Sequence, residues 1–177
     1  MGPRVITDKT NNFNVYAGTA TAANRLIGVT DEVTLINLQN MSETINLAGM
    51  AGEIDSPTVG QFQSMEIVIN FSSIAKNYLE WAAQDNIPLI FRSKQEVINP
   101  ENSTKSFVLR TITVRGMTKG INFGVLKKSG YGKPSITKEV VYYKEVIDGE
   151  VVTEIDKFNG KVIIGGIDMT KDILDDI

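Results

Sequence analysis

The sequence has 177 residues, 42% of them hydrophobic and 22% charged, a composition that fits one folded domain rather than a disordered chain or a membrane protein. Lysine and arginine number 18 against 21 acidic residues, giving a net charge of −3, so there is no basic footprint for tight nucleic-acid binding. Histidine and cysteine are both absent, which excludes disulfides, thiolate or HExxH zinc sites, facial iron triads, cysteine nucleophiles and serine-histidine-aspartate triads.

The opening MGPRVITDKT has neither a basic segment leading into an apolar stretch nor a hydroxyl at position six, where Ile6 stands. The chain is therefore expected to stay in the cytoplasm. No apolar run approaches the roughly 20 residues that span a bilayer, so no membrane anchor is expected. Residues 1–11 and the acidic end, 171–177, lack periodicity and are expected to be loose.

Residues 13–17 (FNVYA) and 25–36 (RLIGVTDEVTLI) are β-branched and aromatic, and the small residues 18–23 between them read as the connection of an antiparallel ribbon. After a long segment without clear pattern, Met65, Ile67, Ile69 and Phe71 alternate with Glu66, Val68, Asn70 and Ser72, the period of a strand with one apolar and one mixed face. Ser72 or Ser73 then caps a predicted helix with Ile74, Tyr78, Trp81 and Ala82 on one side, stopped by Pro88. Strands are predicted over 89–92, 107–115, 121–126 and 136–147, and the dipeptides Asp148-Gly149 and Asn159-Gly160 predict tight hairpin turns in a closing meander. These elements add up to a mainly β protein, a β-sandwich or barrel with one flanking α-helix, in a single domain over 1–177.

Catalytic signals are weak. The pairs Asp31-Glu32, Glu53-Asp55 and Glu154-Asp156 stand in turn or alternating contexts where solvated charge is the ordinary role. Gly130-Tyr131-Gly132-Lys133-Pro134-Ser135 fails the phosphate-loop spacing, because Lys127 stands where a glycine is required and Pro134 where a hydroxyl is required. No metal, no cofactor and no enzymatic activity are expected.

The segment from about 38 to 62, LQNMSETINLAGMAGEIDSPTVGQF, is too long for an ordinary connection, yet Met41, Ile45, Leu47, Met50, Ile54 and Val59 recur through it. Such side chains either cover the chain's own core or dock on a neighbour. Glycines 49, 52 and 60 permit close backbone approach, and methionines tolerate an imperfect partner surface, so docking is the sharper reading.

Three blocks carry a resemblance along nearly the whole chain: NNFNVYAG with NRLIGVTDEVTL; MSETINLAGMAGEIDSPTVGQFQSMEIVINF; and EVVYYKEVIDGEVVTEIDKFNGKVIIGGIDM. In these blocks the chain resembles the major tail tube proteins of contractile-tailed phages. TATAAN at 19–24 and INPENSTK at 98–105 depart from the pattern. The resemblance implies a structural subunit of hexameric rings stacked into a tube, with a sheath, baseplate and tail-terminator proteins as partners and DNA passing weakly through the lumen. It also implies that a stacking loop at 40–60 meets the adjacent ring through Met41, Ile45, Leu47, Met50, Ile54 and Val59. One face of the strand over 62–72 then lines the channel, and the polar set Ser64, Glu66, Asn70 and Ser72 is the natural choice. The tube of a headless bacteriocin particle or of a secretion system is the alternative, and a carbohydrate-binding β-sandwich is a weaker one.

Overall fold

A computed structural model describes residues 4–177. Eleven strands and two short helices follow in the order β1 (Ile6–Ala17), β2 (Val29–Thr34), β3 (Asn40–Ile45), β4 (Ile54–Phe62), β5 (Glu66–Phe71), α1 (Lys76–Ala82), β6 (Leu89–Ile98), β7 (Lys105–Asn122), β8 (Ser135–Ile147), β9 (Glu150–Asp156), β10 (Lys161–Ile164), β11 (Ile167–Asp168) and α2 (Lys171–Leu174). Every pairing is antiparallel. The expected mainly β protein with one small flanking helix is what the chain forms.

The long β7–β8 ribbon organises the sheet. On one side of β8, residues 135–139 pair with β5 and residues 142–147 pair with β9, so a single nine-stranded sheet branches there. Its main path runs β1-β6-β7-β8-β9-β10-β11, and the branch adds β5 and then β2. The register of β7 shifts between Arg115 and Gly116, level with the point where β8 changes its other partner from β5 to β9. Gly116 is required there, because a Cβ would stand 2.1 Å from the carbonyl oxygen of Glu139. A bridge from Tyr16 to Arg25, with the Leu26 amide donating to the Val15 carbonyl at 2.8 Å, draws the start of the β2 segment back towards β1.

The core follows from alternation. Met65, Ile67, Ile69 and Phe71 are all at most 1% exposed. Along the main path of the sheet Leu89, Val114, Tyr143, Ile155 and Val162 stand directly opposite one another on five successive strands, and all are buried. Each such side chain contributes about 1.5–3 kcal/mol by leaving water. Tyr78, Trp81 and Ala82 of α1 join the same cluster, with the Tyr78 ring stacked on Phe71 at 4.1 Å between centroids.

Several expectations need correction. β1 and β2 do not form a ribbon; β1 pairs with β6 and β2 with β5, at different places in the branched sheet. The predicted strand over 107–115 runs on through the bulges around Gly116 and Gly120 to Asn122, so only residues 121–122 of the strand predicted over 121–126 are strand and residues 123–126 are loop. The helix begins only at Lys76 and has no side-chain cap, since the Ser72 hydroxyl and amide both donate to the Gly28 carbonyl, and Ile74 precedes it, exposed. Asp148-Gly149 makes the expected two-residue turn, with φ of 52° and 79° between paired Ile147 and Glu150. Asn159-Gly160 instead closes a four-residue turn between Asp156 and Lys161, with the Asn159 amide donating to Asp156 Oδ1.

Parts of the two ends that were expected to be loose take up secondary structure. Residues 6–11 are the first half of β1, held to β6 and β7 by Lys105, which bonds Asp8 at 3.1 Å and Glu96 at 2.8 Å, and by Asn11, which donates to Glu96 at 2.7 Å. Both carboxyls are held below their ordinary pKa range, first by the bond from Lys105. Residues 171–174 form one helical turn behind buried Thr170. Of the rest of that first segment, Arg4 and Val5 are exposed and outside any strand, and Met1 to Pro3 lie outside the described residues.

Candidate assembly surfaces

The long segment between β2 and β5 is a β-hairpin, which its sequence did not reveal. Among the described residues β3 and β4 pair only with each other, Ile45 opposite Ile54, and the Thr44 hydroxyl donates to Asp55 at 2.6 Å. The register breaks between Asn40 and Ser42, where β4 carries extra residues including Gly60. At the hairpin's foot Gly60 lies so close to Thr170 that a Cβ would meet the threonine methyl at 2.6 Å. Lys157 Nζ donates to the Gln63 carbonyl at 2.8 Å on the same side.

All six predicted contact residues sit on this hairpin. Met41 is 51% exposed, Ile45 38%, Leu47 63%, Ile54 53% and Val59 53%, and Met50 is half-buried. Leu47 and Met50 share the tip, where the Met50 amide donates to the Leu47 carbonyl. The hairpin therefore does not cover the chain's own core. It presents apolar side chains to solvent.

The predicted polar set divides. Ser64 and Glu66 are exposed, and Asn70 lies half-buried further along the face of β5 that carries Glu66. Ser72 is committed to the Gly28 carbonyl beyond the strand's end. Around the first two stand residues from neighbouring strands that periodicity could not assign. The Ser64 hydroxyl bonds the Glu139 carboxylate at 2.7 and 2.8 Å, and Lys119 pairs with Glu66 and, at 3.7 Å, with Glu139. Thr137 and Ser135 of β8 continue the same face beside Val68 and Asn70. Two carboxylates and one ammonium leave this patch with a net charge of −1, its only cation already paired. The signal that finds Glu139 is its cross-strand register with Glu66, which exists only once β5 and β8 are paired.

Among the described residues no group of three or more histidine, cysteine, aspartate or glutamate side chains stands where it would hold a metal ion. No helix of the described residues is long and apolar enough to cross a membrane. The titratable group displaced furthest, Tyr143, is raised by burial and then by Glu145, to which its hydroxyl donates at 3.1 Å. Arg110 closes that cluster on Glu145 at 2.5 Å, an arrangement that ties β7 to β8.

The polar clusters described above tie strands to one another, and the β3–β4 hairpin leaves its apolar side chains exposed. The family model of phage tail tube protein FII matches residues 7–177, and the chain belongs to that family. It is a structural subunit of a tail tube. No curated protein matches it by sequence. Among solved structures it is similar in fold to the sheath/tube terminator of an extracellular contractile injection system, PVC, in the extended state by cryo-EM, with a TM-score of 0.51 and 12% identity over 77% of this chain and 94% of that one. The sheath-tube complex of such a system in its extended state gives a TM-score of 0.47 and 12% identity over 76% of this chain and 87% of that one.

Proposed function

We propose that the chain forms hexameric rings that stack as the inner tube of a contractile phage tail, with the β3–β4 hairpin as the ring-to-ring contact. The observation that carries this reading is the hairpin's exposure, with Met41, Leu47, Ile54 and Val59 each more than half in solvent on strands that no other strand covers. Isolated two-stranded hairpins are marginal in water, and apolar side chains gain about 25 cal/mol per Å² when covered. A neighbouring ring supplies the cover. The face of Ser64, Glu66 and Asn70 turns to the channel, where a slightly acidic surface lets DNA pass without holding it. A sheath, a terminator and a baseplate are the remaining partners, met after assembly in the host cytoplasm.

Replacing both Leu47 and Met50 by Asp tests this. The variant should keep the wild-type circular dichroism spectrum and still close rings, while electron microscopy shows no stacked tubes. Tubes of ordinary length from the double variant would show that the hairpin tip is not the contact.

A further inference from the structure

The β7–β8 loop, residues 123–134, is a second element that leaves its apolar side chains bare. Phe123, Val125 and Tyr131 are each at least 64% exposed and Leu126 is fully so. Among them stand Lys127, Lys128 and Lys133 with no acidic residue, and none of the three forms an ion pair among the described residues. The loop has a definite shape: the Val125 amide donates to the Gly132 carbonyl at 3.0 Å, and Asn122 Oδ1 accepts from the Gly124 amide at 2.9 Å.

A surface of the opposite kind lies at 167–177. It carries four aspartates against one lysine, and Ile167, Met169, Ile173, Leu174 and Ile177 are each at least 38% exposed. Thr170 anchors it, its hydroxyl accepting from the Val162 amide at 3.1 Å and its methyl lying against Gly60 at the foot of the hairpin.

The two surfaces cannot meet within one chain. The loop leaves the sheet beside Asn70 and Ser135, with the Phe71 amide bonded to Pro134, whereas the C-terminal segment sits by Val162, whose strand neighbours lead to Ile155 and Tyr143. From Ser135 to Tyr143 along β8 is roughly 25 Å at about 3.3 Å per residue. Complementary charge and apolar area at opposite ends of one molecule define a heterologous, head-to-tail contact. We propose that the β7–β8 loop of one copy docks on the acidic C-terminal segment and hairpin foot of the next copy along the tube. This rests on the tube reading and adds the surface that receives the hairpin end.

Four proteins test it: wild type, Lys127→Glu with Lys128→Glu and Lys133→Glu, Asp172→Lys with Asp175→Lys and Asp176→Lys, and the combination of all six changes. Every substituted residue is exposed, so all four should share one circular dichroism spectrum. Each triple should raise the concentration at which tubes appear in low salt by about tenfold or more, and the combination should bring it back, because the charges are then exchanged rather than lost. Triples that assemble like wild type, or a combination that recovers nothing, would overturn the contact and leave the tube reading in place. Wild-type protein that forms neither rings nor tubes at any concentration would instead remove the reading beneath it.

Discussion

Lys138 occupies a position that alternation assigns to the core. It stands opposite Ile67 in the β5–β8 pairing and is 2% exposed, with its ammonium 4.3 Å from the Trp81 ring centre and 4.0 Å from Asp85 Oδ1. It also donates to the Gln84 carbonyl at 3.5 Å, so one buried cation holds the C-terminal end of α1 to the sheet. Burial lowers its pKa, and Asp85 offsets this only in part. Below the folded-state value both states carry the proton and the cost of burying the charge is fully present. As pH rises towards the unfolded value, about 10.4, the unfolded chain still binds a proton that the native chain has released, so that cost is lifted. Lys138→Met removes the charge and keeps the length, while Asp85 stays hydrated. The variant should lie within about 1 kcal/mol of wild type at neutral pH by denaturant unfolding. The comparison should then move in favour of wild type as pH approaches 10, a direction that would be reversed if Lys138 were a net favourable ion pair.

At the scale of elements, the β3–β4 hairpin is the part whose stability depends most on a partner. Both of its strands are exposed for nearly their whole length, and no third strand pairs with them. Opening it costs little in an isolated subunit. Backbone amides over residues 41–59 should therefore exchange with deuterium quickly in the monomer and at least tenfold more slowly in assembled tubes, as read by mass spectrometry on peptides. Equal exchange in both forms would place the hairpin outside any contact. The same physics explains why the sequence shows β5 plainly and hides this hairpin. β5 has one face buried and one solvated, which writes a period of two into its residues. β3 and β4 have no buried face in the subunit, so nothing forces polar and apolar residues to alternate. Their candidate residues were legible only as apolar side chains lacking a place to go. The register linking Glu66 to Glu139 and Lys119 was not legible at all, since it depends on pairings between strands far apart in the chain. The pairing of residues 6–11 escaped for a related reason, because the partners Lys105 and Glu96 stand on β7 and β6.

On the whole molecule, charge is distributed by surface rather than spread evenly. The β7–β8 loop is basic, the C-terminal segment is acidic, and the face of β5 and β8 carries Glu66 and Glu139 around a single Lys119. In the proposed tube that face turns to the channel, where the two carboxylates keep the lysine from phosphate. Changing both to glutamine should test this arrangement with little effect on shape, since the amides retain acceptors for the Ser64 and Lys119 contacts. The patch then goes from a net −1 to +1 on every copy, and a closed ring repeats the change around its channel. Counterion release makes such a surface bind a nucleic-acid backbone more strongly as salt falls. Assembled tubes of the Glu66→Gln, Glu139→Gln variant should therefore retain short single-stranded DNA when sedimented in low salt and release it at high salt, while wild-type tubes leave it in solution. Blocking the tube ends before the DNA is added should abolish retention, because only a channel surface is closed off in that way. Retention that persists with blocked ends would put Glu66 and Glu139 on the outside of the tube.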